Sequence, residues 1–266
     1  MYYECMTKDD ILKFVKNTTY NAYETTLLKK VKSGIIPKHM AIIMDGNRRF
    51  AERMEISVEE GHIRGKDKLE EVLNWCLELD IKILTVYAFS TENFKRSKLE
   101  VEHLMKMFID NFKQIGDDKR VHKYKIRVKI IGKIDSLPED VVDAIKYAEE
   151  KTANYSEYLY NIAVAYGGRE EIIQAIRSIA TEVKDNKLEV KDIDESVVKN
   201  HLYTSDLPDP DIILRTSGEE RISNFLLWQM AYSELYFVDV FWPELSKLDF
   251  LRAIYTYQQR KRKYGV

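Results

Sequence analysis

Short, nearly continuous apolar runs alternating with amphipathic stretches constrain this chain more than any other feature. Strands are predicted at residues 39–44, 81–88, 126–131, 159–166, 211–214 and 234–240, with 81–88 nearly all apolar and 126–131 interrupted by Arg127 and Lys129. A strand apolar at nearly every position is buried on both faces, as in a parallel sheet covered by helices. Between the runs, apolar side chains recur at helical spacing. Residues 58–79 align Leu69, Val72, Leu73, Cys76 and Leu77, and residues 98–115 align Leu104, Met105, Phe108, Ile109 and Phe112. Ser97 and Glu100 form a capping box that starts the second of these helices. Further helices are predicted over 138–153, 169–183, 195–203 and 247–263. The alternation predicts an α/β fold, a single domain with a mostly parallel central sheet flanked by helices. Ahead of it, residues 8–32 carry Ile11, Leu12, Phe14, Val15, Leu27, Leu28 and Val31 between charges and predict a helical extension over 1–35, with the main domain at 36–266.

Charge and cysteine content narrow the function. A net charge of −2 argues against sequence-independent nucleic-acid binding, which needs a positive surface. The basic cluster at 260–263 reads as a solvated helix face or a phosphate contact. Cys5 and Cys76 form neither a metal-ligand spacing nor a disulfide framework, which points to a reducing, cytoplasmic setting. No apolar run approaches the ~18 residues of a spanning helix.

Chemistry concentrates just past three of the apolar runs. The first ends in Met44-Asp45-Gly46-Asn47-Arg48-Arg49-Phe50, the second in Tyr87-Ala88-Phe89-Ser90-Thr91-Glu92-Asn93-Phe94-Lys95-Arg96, and the fifth in Arg215 to Asn224, which includes Ser217, Arg221, Ile222 and Ser223. In an open α/β sheet, ligands bind beyond the carboxyl ends of the strands. Loops rich in Arg, Asn, Gly and Ser there suit phosphorylated groups, each charge-assisted bond contributing ~1.5–3 kcal/mol. Gly61 to Asp67 imitates a phosphate loop but is one residue short and lacks its final hydroxyl. No Gly-x-Gly-x-x-Gly and no Asp-Asp-x-x-Asp occurs. His39, His103, His122 and His201 have no motif context and read as structural, whereas His62 stands in or beside the helix predicted over 58–79, between Gly61 and Gly65.

These blocks, together with Gly61-His62…Gly65, Glu234-Leu235-Tyr236-Phe237 and Trp242-Pro243-Glu244, resemble the cis-prenyltransferases over about residues 36–265. The resemblance implies repeated condensation of isopentenyl diphosphate onto an allylic diphosphate primer, giving a long polyprenyl diphosphate, the precursor of a glycosyl carrier lipid. It implies a homodimer with an apolar tunnel and Mg²⁺ as cofactor. By motif, Asp45 would be the essential acid beside Mg²⁺, with Glu234 reaching the same metal. Gly46, Asn47, Arg48, Arg49 and His62 would cradle the allylic diphosphate, and Phe50 would pack near the primer. Ser90, Thr91, Glu92, Asn93 and Phe94 match the central family loop, with Asn93 or the departing diphosphate taking the proton. Arg96, Arg215, Arg221, Ile222 and Ser223 would hold isopentenyl diphosphate. Val58 stands where bacterial members carry an arginine, and Glu220 where they carry a histidine. These departures point to the archaeal or eukaryotic branch and to geranylgeranyl rather than farnesyl diphosphate as primer. The resemblance also implies a transient contact with a membrane surface. Two rival readings are a non-catalytic subunit of a heteromeric cis-prenyltransferase, disfavoured by the retained phosphate-loop residues, and a phosphosugar or nucleotide enzyme, which would need a polar pocket.

Overall fold

The computed structural model describes residues 8–260, with side chains from residue 20 onward. Cys5, the side chains of the first predicted helical turns and the carboxyl end from 261 lie outside the described residues. Two compact units emerge, one comprising residues 8–36 and 245–260, the other Pro37–Glu244.

In the larger unit, β1 (His39–Ile43), β2 (Ile83–Tyr87), β3 (Ile126–Ile131), β4 (Tyr158–Ala163), β5 (Ile212–Arg215) and β6 (Glu234–Phe237) form one sheet in the order β3-β4-β2-β1-β5-β6. All pairings are parallel, as the apolar runs predict. β1 and β5 are buried along their full length and β6, at the edge, is only half-buried. From β1 the chain first builds the β2 side of the sheet and later returns to lay β5 on the other. The β1/β5 crevice is therefore the topological switch point, where open α/β sheets bind ligands.

The connections are helical: α2 (Asn47–Arg53) and α3 (Val58–Glu78) after β1, α4 (Lys98–Asp117) and α5 (Lys119–Lys123) after β2, α6 (Glu139–Thr152) after β3, α7 (Gly168–Lys184) and α8 (Glu195–Asn200) after β4. Ser97 accepts the amide of Glu100 at the start of α4, which is half of the expected capping box; the Glu100 carboxylate instead accepts from Arg96. Helices α2 and α5 are not legible in the sequence. At seven and five residues they are too short to show a period.

The smaller unit pairs α1 (Lys8–Lys32) with α9 (Lys247–Gln259). Leu27 and Val31 are buried, and the Gln258 amide donates to the carbonyls of Val31 (2.9 Å) and Ile35 (3.1 Å). The carboxyl-terminal helix, read from sequence as part of the main domain, thus groups with the amino-terminal one.

His39 is structural, as its lack of motif context implies. Its Nδ1 lies 2.7 Å from the Pro208 carbonyl, so that nitrogen carries the proton, and its Nε2 accepts from the Thr85 hydroxyl at 2.7 Å. Burial lowers its pKa to about 4, with the Pro208 hydrogen bond and Asp211 opposing. The folded state therefore resists protonation that the unfolded chain accepts near 6.5. Stability is full above that value and falls as pH drops towards about 4, by roughly 3 kcal/mol. Urea midpoints measured across pH 4–7 are expected to slope less in His39→Gln than in wild type; equal slopes would remove His39 from the account.

Candidate active site

Asp45 leaves the end of β1 at the switch point and is fixed from both sides. Its amide donates to Thr216 Oγ1 (3.0 Å), whose hydroxyl donates to the Asp45 carbonyl (2.6 Å). Its carboxylate accepts from Arg215 on β5 (2.7 Å) and from Arg49 on α2 (3.1 Å). Burial alone would raise the Asp45 pKa, but the hydrogen bond and charge of Arg215, then Ser217 and Arg49, hold it below the usual carboxylate range. Asp45 is ionised at neutral pH.

Gly46 turns the chain from β1 into α2 at φ 111°, where a side chain is strained and where a Cβ would meet Phe241 at 2.9 Å. The turn aims Asn47, Arg48 and Arg49 over the sheet edge. The two glycines of α3 have a packing reason rather than a phosphate-loop one. A Cβ on Gly61 would lie 2.7 Å from the Asn47 carbonyl oxygen, and one on Gly65 would lie 2.4 Å from Asn47 Oδ1. Only glycine at both places lets α3 lie directly against α2. Asn47 Oδ1 is buried without a hydrogen-bond partner.

The second loop folds on itself. Asn93 Oδ1 accepts the Ser90 amide (3.0 Å), so the group this side chain presents is its NH2, a donor. Thr91 donates to Glu92 (3.2 Å), and Asn224 of the third loop donates to the same carboxylate (3.2 Å). Arg96 donates to Glu100 (2.9 Å). The same Glu100 oxygen lies 3.4 Å from His62 and 4.0 Å from Arg48. Burial, with Arg96 and Arg48 nearby, lowers the His62 pKa against the opposing pull of Glu100. His62 is a neutral donor rather than a fixed cation.

The third loop is anchored by Arg215, only 3 % exposed, which reaches Asp45, Ser223 Oγ (2.8 Å) and the Arg221 carbonyl. Ser217, Ser223, Asn224 and Leu226 all adopt positive φ, a curled path that turns Ser223 back towards Arg215. Arg49 also donates to Glu219 (2.8 Å) and Ser217 (2.8 Å), and Glu219 pairs with Arg221.

The rim opens into a cavity of about 640 Å³ within this unit. Asp45, Asn47, His62, Ser90, Glu92, Asn93, Arg96, Arg215, Arg221 and Ser223 surround its mouth. Leu69, Leu73 and Leu77 of α3 and Leu104, Phe108 and Phe112 of α4 line its interior. Along α3 it extends from His62 to Leu77, about 22 Å at the helical rise. The apolar face of α4 is thus partly cavity wall and not only core.

The structure does not bring every expected residue to this site. Gly46, Arg48, Arg49, Phe50, Thr91, Phe94 and Ile222 stand outside the cavity lining, although Arg49 contacts Asp45 directly. Glu234 departs furthest. It begins β6, in register with Ile212, whereas Arg215 pairs with Phe237. Three residues of strand, about 10 Å, separate its level from that of Arg215. Within one chain Glu234 therefore starts its strand at the far end from Arg215, the partner of Asp45, and among the described residues no cluster of three or more His, Cys, Asp or Glu side chains could hold a metal. Conversely, Thr216, Glu100 and Glu219 organise the rim without having been singled out. Glu100 was legible only as a helix-capping residue.

Residues 43–265 match the family described as "Putative undecaprenyl diphosphate synthase". The chain is 59% identical over 243 residues to the tritrans,polycis-undecaprenyl-diphosphate synthase (geranylgeranyl-diphosphate specific) of Thermoplasma volcanium, covering 91% of this chain and 94% of that protein. It is 57% identical over 246 residues to the protein of the same description from Pyrococcus abyssi, covering 92% and 93%. Among solved structures it resembles lavandulyl diphosphate synthase from Lavandula x intermedia in complex with dimethylallyl diphosphate, with a TM-score of 0.82 and 38% identity over 87% of this chain and 99% of that one.

Gly65→Ala tests the helix contact. The added methyl must displace Asn47, at a cost of about 1–3 kcal/mol. A diphosphate ligand is expected to bind at least tenfold more weakly by calorimetry. Undiminished binding would show that Asn47 is not held by this contact.

Proposed function

The chain belongs to the undecaprenyl diphosphate synthase family of cis-prenyltransferases, and from that premise we propose that it condenses isopentenyl diphosphate repeatedly onto geranylgeranyl diphosphate to make undecaprenyl diphosphate, precursor of a glycosyl carrier lipid. That it is a prenyl-transferring enzyme follows from the relatives. The primer and product are those named for the archaeal relatives. One observation carries the reading: a rim of arginines and amide donors opens directly onto a long apolar cavity. A phosphosugar enzyme has no use for such a cavity. A non-catalytic subunit has no use for the assembled rim.

Each group then has a task. Arg49, Asn47 and the neutral His62 bind the allylic diphosphate. Arg215, Arg221 and Ser223 bind isopentenyl diphosphate, with Arg96 beside them. Asp45, ionised and partly exposed, offers the hard oxygen that Mg²⁺ prefers. Mg²⁺ is commonly held by one or two carboxylates plus substrate phosphates, so a single chain carboxylate fits it. When bound, the ion would offset the charge that grows on the leaving diphosphate. The arginines do the same from the other side. Holding the isopentenyl double bond against the allylic carbon is a positioning task, met by fixing both diphosphates at one crevice. Because the Asn93 carbonyl is engaged by Ser90, the departing diphosphate is the better proton acceptor, and Asn93 orients it as a donor.

We assign the growing tail to the cavity. Burying a CH₂ stabilises by ~0.8 kcal/mol, so a five-carbon unit gains roughly 4 kcal/mol. Intermediates stay bound between additions and release is slow. Among the described residues no helix is long and apolar enough to cross a membrane, and the proposed membrane contact is transient. Ile173 and Ile176, exposed on α7, support a homodimer face.

The decisive assay supplies labelled isopentenyl diphosphate and Mg²⁺ with geranylgeranyl or farnesyl diphosphate and sizes the products. A ladder ending at undecaprenyl length, stronger with the geranylgeranyl primer, is expected; no incorporation with either would reject the reading. Asp45→Asn is expected to cost at least a hundredfold, about 3 kcal/mol, in kcat/KM. Asparagine is the right replacement because alanine would strand the buried Arg215 guanidinium, and breaking a buried pair costs about 3–5 kcal/mol of stability. Detergent or vesicles are expected to raise the multiple-turnover rate while leaving single-turnover condensation unchanged; equal effects on both would contradict slow release.

A further inference from the structure

The segment that follows β6 is stitched to both the first and the third rim loop. The Val238 carbonyl accepts the Gly218 amide (3.0 Å), and the Val240 carbonyl accepts the Ser217 amide (2.7 Å). The Trp242 amide donates to the Asp45 carbonyl (3.0 Å). Between these anchors stands Phe241, half-buried, with its side chain against the Gly46 turn. Two guanidinium groups of α2 lie over its ring. The Arg49 Cζ is 5.7 Å from the ring centroid and the Arg53 Cζ 4.8 Å. Arg53 pairs with Glu244, an acid of the same segment that does not line the cavity. Arg49 differs. Its N–H groups go to Asp45, Ser217 and Glu219, all of them groups of the rim loops.

We propose that Phe241 is a positioning residue for Arg49, holding its guanidinium at the mouth while its hydrogen bonds pass from the protein to the allylic diphosphate. This rests on the assignment of Arg49 to that diphosphate. The physical cause is a difference between the two kinds of contact. A diphosphate that binds Arg49 in two-pronged fashion competes with Asp45, Ser217 and Glu219 for the in-plane N–H groups. An aromatic ring attracts the guanidinium through its charge and consumes no N–H. The ring contact therefore survives the exchange that the hydrogen bonds undergo. Without it, an Arg49 let go by its acids regains the rotamer freedom of a long exposed side chain. That freedom has to be lost again when the diphosphate binds, which weakens the complex. Leucine in place of Phe241 would keep apolar packing on the Gly46 turn and lose only the ring.

The test titrates geranylgeranyl diphosphate into the full chain by calorimetry, with no isopentenyl diphosphate present. A separate assay with Mg²⁺ measures kcat and the KM for isopentenyl diphosphate. Phe241→Leu is expected to bind the allylic diphosphate about two- to fivefold more weakly, equivalent to a cation–π contact of about 0.5–1 kcal/mol. Its kcat and its KM for isopentenyl diphosphate are expected to stay at the wild-type values. Phe241→Tyr keeps a ring and is expected to bind as the wild type does. Equal allylic binding in Phe241→Leu and wild type overturns the proposal. So does a fall in kcat together with weaker binding of both substrates, the mark of a displaced Gly46 turn. If Phe241→Leu does not fold, Phe241→Met is read in the same way, and failure of both to fold makes the ring structural and overturns the proposal. Failure of the wild-type chain to bind geranylgeranyl diphosphate would instead overturn the proposed function.

Discussion

The ion pair between Asp45 and Arg215 holds the site together. It joins the ends of two parallel strands that lie side by side in the sheet yet 170 residues apart in the chain. Arg215 is almost wholly buried, so its charge is tolerable only because Asp45, Ser223 and a loop carbonyl receive its hydrogen bonds. Asp45, in turn, stays ionised in a half-buried place because Arg215 and Arg49 face it. Each residue supplies the condition for the other, and the loops that carry them converge as a result.

Packing carries this order outward. The approach of α3 to α2, allowed by two glycines one helical turn apart, positions Asn47 and His62 on the same side of the mouth. The indole of Trp242, fully buried, donates to the Gly65 carbonyl (2.7 Å), while the Trp242 amide donates to the Asp45 carbonyl (3.0 Å). A single tryptophan thus ties the helix to the strand end that bears the acid. The third loop is fixed by its own curled backbone and by Asn224, which reaches the second loop through Glu92.

What could be read from the sequence was what local pattern encodes. The sheet was legible because most positions of its strands are apolar, and the long helices because their apolar faces repeat. The rim was legible because polar residues crowd directly after those strands. Short helices left no period, and the true use of Gly61 and Gly65 depended on a partner, Asn47, that spacing does not reveal. Glu234 looked like a second acid for a metal because its motif is adjacent in the chain to a strand, but strand register sets which end of β6 it occupies. The Glu70–Arg120 bridge was invisible for the same reason: its partners meet across 50 residues of intervening chain.

The arginines at the mouth already have carboxylate companions: Arg49 and Arg215 with Asp45, Arg221 with Glu219, Arg48 and Arg96 with Glu100. Three carboxylates offset only part of the charge of these five arginines, so the vestibule stays positive before any substrate arrives. An incoming diphosphate is drawn by the remainder and then swaps partners with acids of the protein. The acids released in that exchange become free to take up new positions around the bound ligand.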